Sequence, residues 1–455
     1  MAEEIKKLEP TKVWEFFYDL TQIPRPSGHE KEVQQYVVKF GQDRGLETII
    51  DEVGNVIVRK PATKGMENKK SIILQAHLDM VPQKNSDKVH DFTKDPIDAY
   101  IDGEWVKARG TTLGADNGMG AAAMLAILDS NDIQHGPLEA LFTATEETGM
   151  DGANGLQPNV LKGDILLNLD SETEGEFFTG CAGGLDANID FEFEPVAVPE
   201  GYKAFEFSVK GLKGGHSGMD INLGRGNAIK IMFRYLYQAK KNWGIELAAV
   251  NSNGLRNAIP REAFCTILVP ADKVDGITKC IADYEAVVNN ELSTAENKIS
   301  IALAPVEMPA TMINNPVQMN LIRGVIACQN GVIRMSRELP GLVETSSNMA
   351  IVKSTDDGNI TIKCLLRSSV DTSKDALAAN IGAAFELAGA KVVFDGAYPG
   401  WKPNADSAIL KAAREEYKKH YGKEPLVTAV HAGLECGILG AKYPNWDMMS
   451  FGPTL

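Results

Sequence analysis

Apolar and polar positions follow one rhythm up to about Gly184 and another beyond it. The segments WEFFYDLTQIP and HEKEVQQYVVKFGQDRG read as helices, and TIIDEVGNVIVRK reads as a strand. SIILQAHLDM, LEALFTATEETG and DILLNLDSE each carry an apolar run of the kind expected of strands buried on both faces. Between the first two of these, GTTLGADNGMGAAAMLAILDS predicts a Gly-rich turn feeding an Ala/Leu/Met helix. Strands alternating with helices imply an α/β domain with a mostly parallel sheet and helices on both faces.

After Gly184 the pattern shifts to period two. LDANIDFEFEP and YKAFEFSVKG alternate as antiparallel strands do. GNAIKIMFRYLYQAKK and DGITKCIADYEAVVNNEL read as helices, and REAFCTILVP, NKISIALAP and residues 358–369 as further strands. This predicts an inserted α+β domain, residues 185–398, enclosed by a catalytic domain made of residues 1–184 and 399–455. The last part opens on a helix, DSAILKAAREEYKKHYG, and continues through the turn-rich TAVHAGLECGIL to MMSFGPTL.

Composition narrows the function classes. A length of 455 residues exceeds what one core holds, so two or more domains are expected. A net charge of −15 with no dense Lys/Arg stripe argues against a nucleic-acid partner. No run approaches the roughly 18 apolar residues of a membrane span. The charged N-terminal stretch lacks the apolar core of a signal peptide. The six cysteines are scattered without a C-x-x-C pair, which fits reduced thiols in a cytoplasmic protein.

Chemistry concentrates at the ends of the buried runs: His77 and Asp79, then Asp116, then Glu146 and Glu147, then Asp170. In a parallel sheet such ends gather on one rim, where active sites lie. One imidazole with several carboxylates suits Zn²⁺, Mn²⁺ or Co²⁺. His77 and Asp79, two apart on a strand end, face the same way, and a carboxylate beside a metal-bound imidazole holds its tautomer. Taken alone, each position also has an ordinary structural explanation: a satisfied histidine, a helix cap at Asp116, a solvated acidic turn at Glu146–Glu147. The glycines around Asp116 match neither phosphate-loop nor dinucleotide spacing. Two adjacent carboxylates repel when buried unless cations compensate them, so the set points to a two-metal hydrolase.

The segments QAHLDMVPQ, GTTLGADNGMG, TATEETGMDGA, LLNLDSE, GLKGGHSGMDINLGRGNA and VHAGLECG resemble those of the aminoacyl-histidine dipeptidases, also called cytosolic nonspecific dipeptidases. These belong to the superfamily of co-catalytic dinuclear zinc peptidases, and the resemblance runs over essentially the whole chain. It implies zinc-dependent hydrolysis of short peptides, Xaa-His among them, with two Zn²⁺ per chain. It implies His77 and Asp170 on one ion, Asp116 bridging, Glu147 on the other, Glu146 as general base and Asp79 orienting His77. It further implies a cis Asp116–Asn117 bond, an oxyanion-stabilising His216, and substrate contacts at Asn257 and Arg367, the guanidinium fork suiting a carboxylate. The inserted domain would serve as a lid and join two chains in a homodimer. A last zinc ligand would come from a His-Ser-Pro-Asp-Glu-like motif following SFGPT. Because the sequence stops at Leu455, that ligand is expected to lie outside it, the second catalytic segment being C-terminally truncated. His431 and Glu435 are then assigned to the substrate pocket, with His431 as a metal ligand the weaker reading. Two competing functions stay open: an N-acyl amino acid amidohydrolase or carboxypeptidase using the same centre, and a silent metal- or peptide-binding protein.

Overall fold

The computed structural model describes residues 2–252, 254–404 and 406–455, and the chain divides into two compact units. The first comprises Met1–Gly180, Trp401–Ala429 and Leu434–Leu455, and the second Cys181–Gly400 with Val430–Gly433.

An eight-stranded sheet forms the spine of the first unit. Its order is Glu47–Ile50, Val56–Lys60, Leu138–Thr143, Ile72–His77, Ile165–Asn168, Asp447–Ser450, Glu176–Cys181, Leu426–Val430. The four central strands, Leu138–Thr143 through Asp447–Ser450, run parallel, and antiparallel pairs flank them. The expected α/β class with a mostly parallel sheet therefore holds. Burial follows the pleat. Leu74, Ala76, Ala140, Phe142, Val56 and Val58 pack with the helices Thr11–Thr21, Lys31–Asp43 and Ala115–Asp129. The alternate residues Ile57, Ile73 and Leu141 are equally inaccessible on the opposite face, which explains the unbroken apolar runs. His77 ends one of these strands, so the parallel register sets it beside Thr143.

Two local expectations change. TIIDEVGNVIVRK is a hairpin of two strands, Glu47–Ile50 and Val56–Lys60, because the DEVG stretch turns the chain. TAVHAGLECGIL holds a strand, Leu426–Val430, and the start of a helix, Glu435–Lys442; its small residues are packed rather than looped.

The second unit carries a nine-stranded sheet. Its pairings are antiparallel, as the period-two alternation predicts. LDANIDFEFEP and YKAFEFSVKG do not pair with each other; each lies between other strands. One apolar core gathers residues from the sheet and the helices Ala228–Trp243, Val274–Glu291, Asn315–Ala327 and Asp371–Leu387.

Candidate metal and peptide site

At the rim of the first unit's parallel strands, His77 Nε2 lies 3.0 Å from Asp116 Oδ1 and 3.3 Å from Asp170 Oδ1. One potential ligand atom from each of these three residues lies within 4.8 Å of the other two. Burial disfavours a charged His77, but Asp170, Asp116 and Asp79 outweigh it and hold the imidazole well above its ordinary pKa. A positive charge is wanted at this point, and a soluble divalent cation would meet the same demand.

Asp79, fully buried, knits the cluster together. Its Oδ1 lies 3.2 Å from His77 Nδ1 and accepts the Glu146 N–H at 2.9 Å. Its Oδ2 accepts the Ser27 hydroxyl at 2.7 Å and the Glu147 N–H at 3.2 Å. Despite the upward push of burial, His77 and these donors bring its pKa down to about 2. Glu146 and Glu147 open a short helix, Glu146–Gly149, rather than ending a strand. The preceding Thr145 sits in the left-handed region (φ 53°), unusual for a β-branched residue, with its hydroxyl tied to Glu30 at 2.8 Å. That turn aims both glutamates at the cluster. Burial and then Asp170 push Glu146 up to about 9, and burial and then Asp116 push Glu147 up to about 7. Acids crowded this way need nearby cations to ionise together at neutral pH.

Asp116 and Asn117 interrupt the start of the helix Ala115–Asp129 with non-helical backbone, and their peptide bond is cis, as the resemblance implies. Asn117 Nδ2 donates to Asp170 Oδ1 at 2.6 Å. Gly114 caps this helix at φ +72°, and a Cβ there would meet the Arg25 guanidinium at 2.6 Å. Only glycine allows that approach.

Arg25, Glu172 and Gln75 also shape the site, and the sequence reading missed them. Arg25, 2% exposed, donates to the carbonyls of Leu78 and Asp79 at 2.8 and 2.9 Å and to Gly114 O. It fastens the two loops that carry Asp79 and Asp116. Its one sequence signal is an arginine between prolines, Pro24 and Pro26. Glu172 shares a hydrogen bond with Asp116; its signal is the i+2 spacing from Asp170. Gln75 Nε2 donates to Thr143 Oγ1 (3.1 Å) and Glu435 Oε2 (2.6 Å), and its Oε1 accepts Asn168 Nδ2 at 2.5 Å. A glutamine inside an apolar strand run was the signal there.

The residues assigned to substrate are divided between the two units. Glu435 is in the first unit, where Thr143 Oγ1 also donates to it at 2.7 Å, and its side chain is inaccessible. The carboxylate that the sequence reading assigns to the substrate pocket is packed into the protein at 0% exposure. His431, Arg367, His216 and Asn257 belong to the second unit. His431 Nε2 lies 2.7 Å from Ser346 Oγ, and burial followed by Arg367 repulsion lowers its pKa to about 3. Arg367, 4% exposed, reaches Tyr398 OH at 3.1 Å and Ser217 Oγ at 3.4 Å, with no carboxylate partner among the described residues. A buried guanidinium so placed is an anion acceptor. His216 Nδ1 accepts the N–H groups of Gly218 (3.2 Å) and Met219 (3.1 Å), which leaves Nε2 as the protonated nitrogen. Burial and then Arg367 lower its pKa, so it presents a neutral N–H donor. Gly215 before it adopts φ +140°, open to glycine alone. Asn257 is exposed, and its backbone carbonyl accepts the Ser217 N–H at 2.8 Å.

Comparison with known proteins supplies an independent line. The sequence model of peptidase family M20/M25/M40 matches residues 73–454. The chain is 49% identical over 452 residues to the cytosol non-specific dipeptidase of Escherichia coli K12, covering 99% of this chain and 93% of that protein. It superposes on the crystal structure of aminoacylhistidine dipeptidase from Vibrio alginolyticus with a TM-score of 0.93 and 48% identity, over 100% of this chain and 93% of that one. Aminopeptidase PepT from Bacillus cereus, 17% identical with a TM-score of 0.56 over 97% of this chain and 89% of that one, shares the fold.

Proposed function

Because the chain belongs to peptidase family M20/M25/M40, we infer that it is a metal-dependent dipeptidase, cleaving dipeptides that include Xaa-His. The observation that carries the reading is the His77–Asp116–Asp170 cluster with Glu146 and Glu147 held beside it through Asp79. Its donor set, one imidazole among carboxylates, fits two Zn²⁺, with Mn²⁺ or Co²⁺ as substitutes. In this reading His77, Asp116, Glu147 and Asp170 hold the ions. When bound, they supply Lewis acidity and make water acidic enough to attack near neutral pH.

The chain's own residues do the rest. Glu146, beside His77 and Asp170, takes the proton of the attacking water and returns it to the leaving amine. Asp79 holds the His77 ring in one orientation through Nδ1. His216 offers its Nε2–H to the carbonyl oxygen as charge develops there. Arg367 takes the peptide's carboxylate, with Ser217 and Tyr398 fixing its fork. His431 and Asn257 complete the peptide contacts. The kinship with a protein named for the cytosol supports a cytoplasmic location, and the reading includes pairing of two chains through the second unit. Among the described residues no helix is long and apolar enough to cross a membrane.

The test is a panel of free and N-blocked dipeptides with zinc-supplemented protein. Free dipeptides should be cleaved, chelation should abolish turnover, and Glu146→Gln should lower kcat by at least 100-fold with zinc content retained. Turnover of N-acyl amino acids in preference to free dipeptides would overturn the dipeptidase reading.

A further inference from the structure

Glu435 is a fully buried acidic side chain near the site that the mechanism leaves without a task. It opens the helix Glu435–Lys442 and is 0% exposed. Oε2 accepts two neutral donors, Gln75 Nε2 at 2.6 Å and Thr143 Oγ1 at 2.7 Å. Oε1 has no hydrogen-bond partner, and no lysine or arginine pairs with the carboxylate among the described residues. Both donors stand on the central parallel strands. Gln75 lies two residues before His77, and Thr143 three residues before Glu146. Gln75 is fixed in turn by Asn168, two residues before Asp170. The charged groups whose fields reach Glu435 most strongly are His77, Asp170 and Asp79.

Burying a carboxylate without a counter-charge is strongly unfavourable, whereas an amide of the same shape meets neutral donors at far lower cost. A purely structural plug would therefore be served better by glutamine. We propose that Glu435 is a positioning residue for the divalent cations: its buried charge is balanced by them, and its bonds to Gln75 and Thr143 hold the strand ends that present His77 and Glu146. The inference rests on the metal-centre reading above and deepens it. It touches neither substrate nor the reacting atoms.

The experiment measures zinc affinity by competition with a chromophoric chelator, and melting temperature with and without zinc, for the wild-type chain, Glu435→Gln, Glu435→Asp and His77→Ala. Glu435→Gln should bind zinc 10- to 100-fold more weakly, the usual range for partners one step outside a metal. Its zinc-free melting temperature should equal or exceed that of the wild type, and the gain on adding zinc should shrink. Glu435→Asp keeps the charge and should recover most of the affinity. Wild-type affinity in Glu435→Gln with a lower zinc-free melting temperature would make Glu435 a packing residue and overturn the inference alone. Equal weakening in Glu435→Asp and Glu435→Gln would also overturn it, since charge would then not matter. If His77→Ala binds zinc as the wild type does, the metal-centre reading itself fails.

Discussion

His431 shows how much a single buried ring can hold of a protein's pH response. Its folded-state pKa near 3 lies below the ordinary value of 6.5, so the unfolded chain binds a proton that the folded chain refuses. Stability is therefore complete above about pH 6.5 and falls as pH drops toward 3. Between pH 7 and 5 the wild type should lose about 2 kcal/mol that His431→Gln does not lose, read from urea unfolding at each pH. Asp79 illustrates the opposite case: a carboxylate whose acceptors are all used, binding a histidine and two backbone N–H groups at once. Asp79→Asn should keep the fold but misalign His77 and the Glu146 turn, lowering kcat about 10- to 100-fold with KM little changed. His77, Asp79 and Asp170 stand out in the sequence because they close apolar runs, and Asp116 because it sits on a Gly-rich turn before a helix. Arg25 does not, since its partners are carbonyl oxygens and no side-chain pattern announces a backbone clamp.

Among the elements, lysines finish several helices. Lys230 donates to the carbonyls of Val325 (2.6 Å), Ile326 (3.1 Å) and Cys328 (2.8 Å) at the end of the helix Asn315–Ala327. Lys442 does the same for Ala153, Asn154 and Leu156, and Lys60 for Ile127, Leu128 and Ser130. A helix end leaves carbonyls unpaired and carries partial negative charge, so an ammonium there satisfies both. Lys230→Met should cost about 1–3 kcal/mol of the second unit's stability in urea unfolding, with zinc binding unchanged. Such caps come from sequence positions 67 to 289 away, which is why helix stops of this kind escape a local reading. The helix spans themselves were legible where their apolar spacing was strong, as in Ala228–Trp243. The hairpin at residues 47–60 was not, because its turn contains no Asn-Gly or Asp-Gly signal.

For the whole molecule, the rhythm of apolar positions changes near Gly184, and the second compact unit comprises Cys181–Gly400 with Val430–Gly433. Less visible was how late in the sequence the first unit is completed. The strand Asp447–Ser450 lies parallel beside Ile165–Asn168 and on its other side meets Glu176–Cys181, so residues 282 positions apart (447 against 165) are sheet neighbours. During synthesis the ribosome delivers residues 181–400 long before that strand. The stretch Cys181–Gly400, which makes up most of the second unit, can therefore pack while the sheet bearing His77, Asp116 and Asp170 still has a gap. In stalled nascent chains, protease resistance should spread over residues 185–398 first and over residues 47–180 only once residue 450 has cleared the exit tunnel. Simultaneous protection of both stretches would refute that order. The acidic rim would thus gain its full scaffold only after Ser450 has emerged, standing half-built through the whole synthesis of residues 181–400.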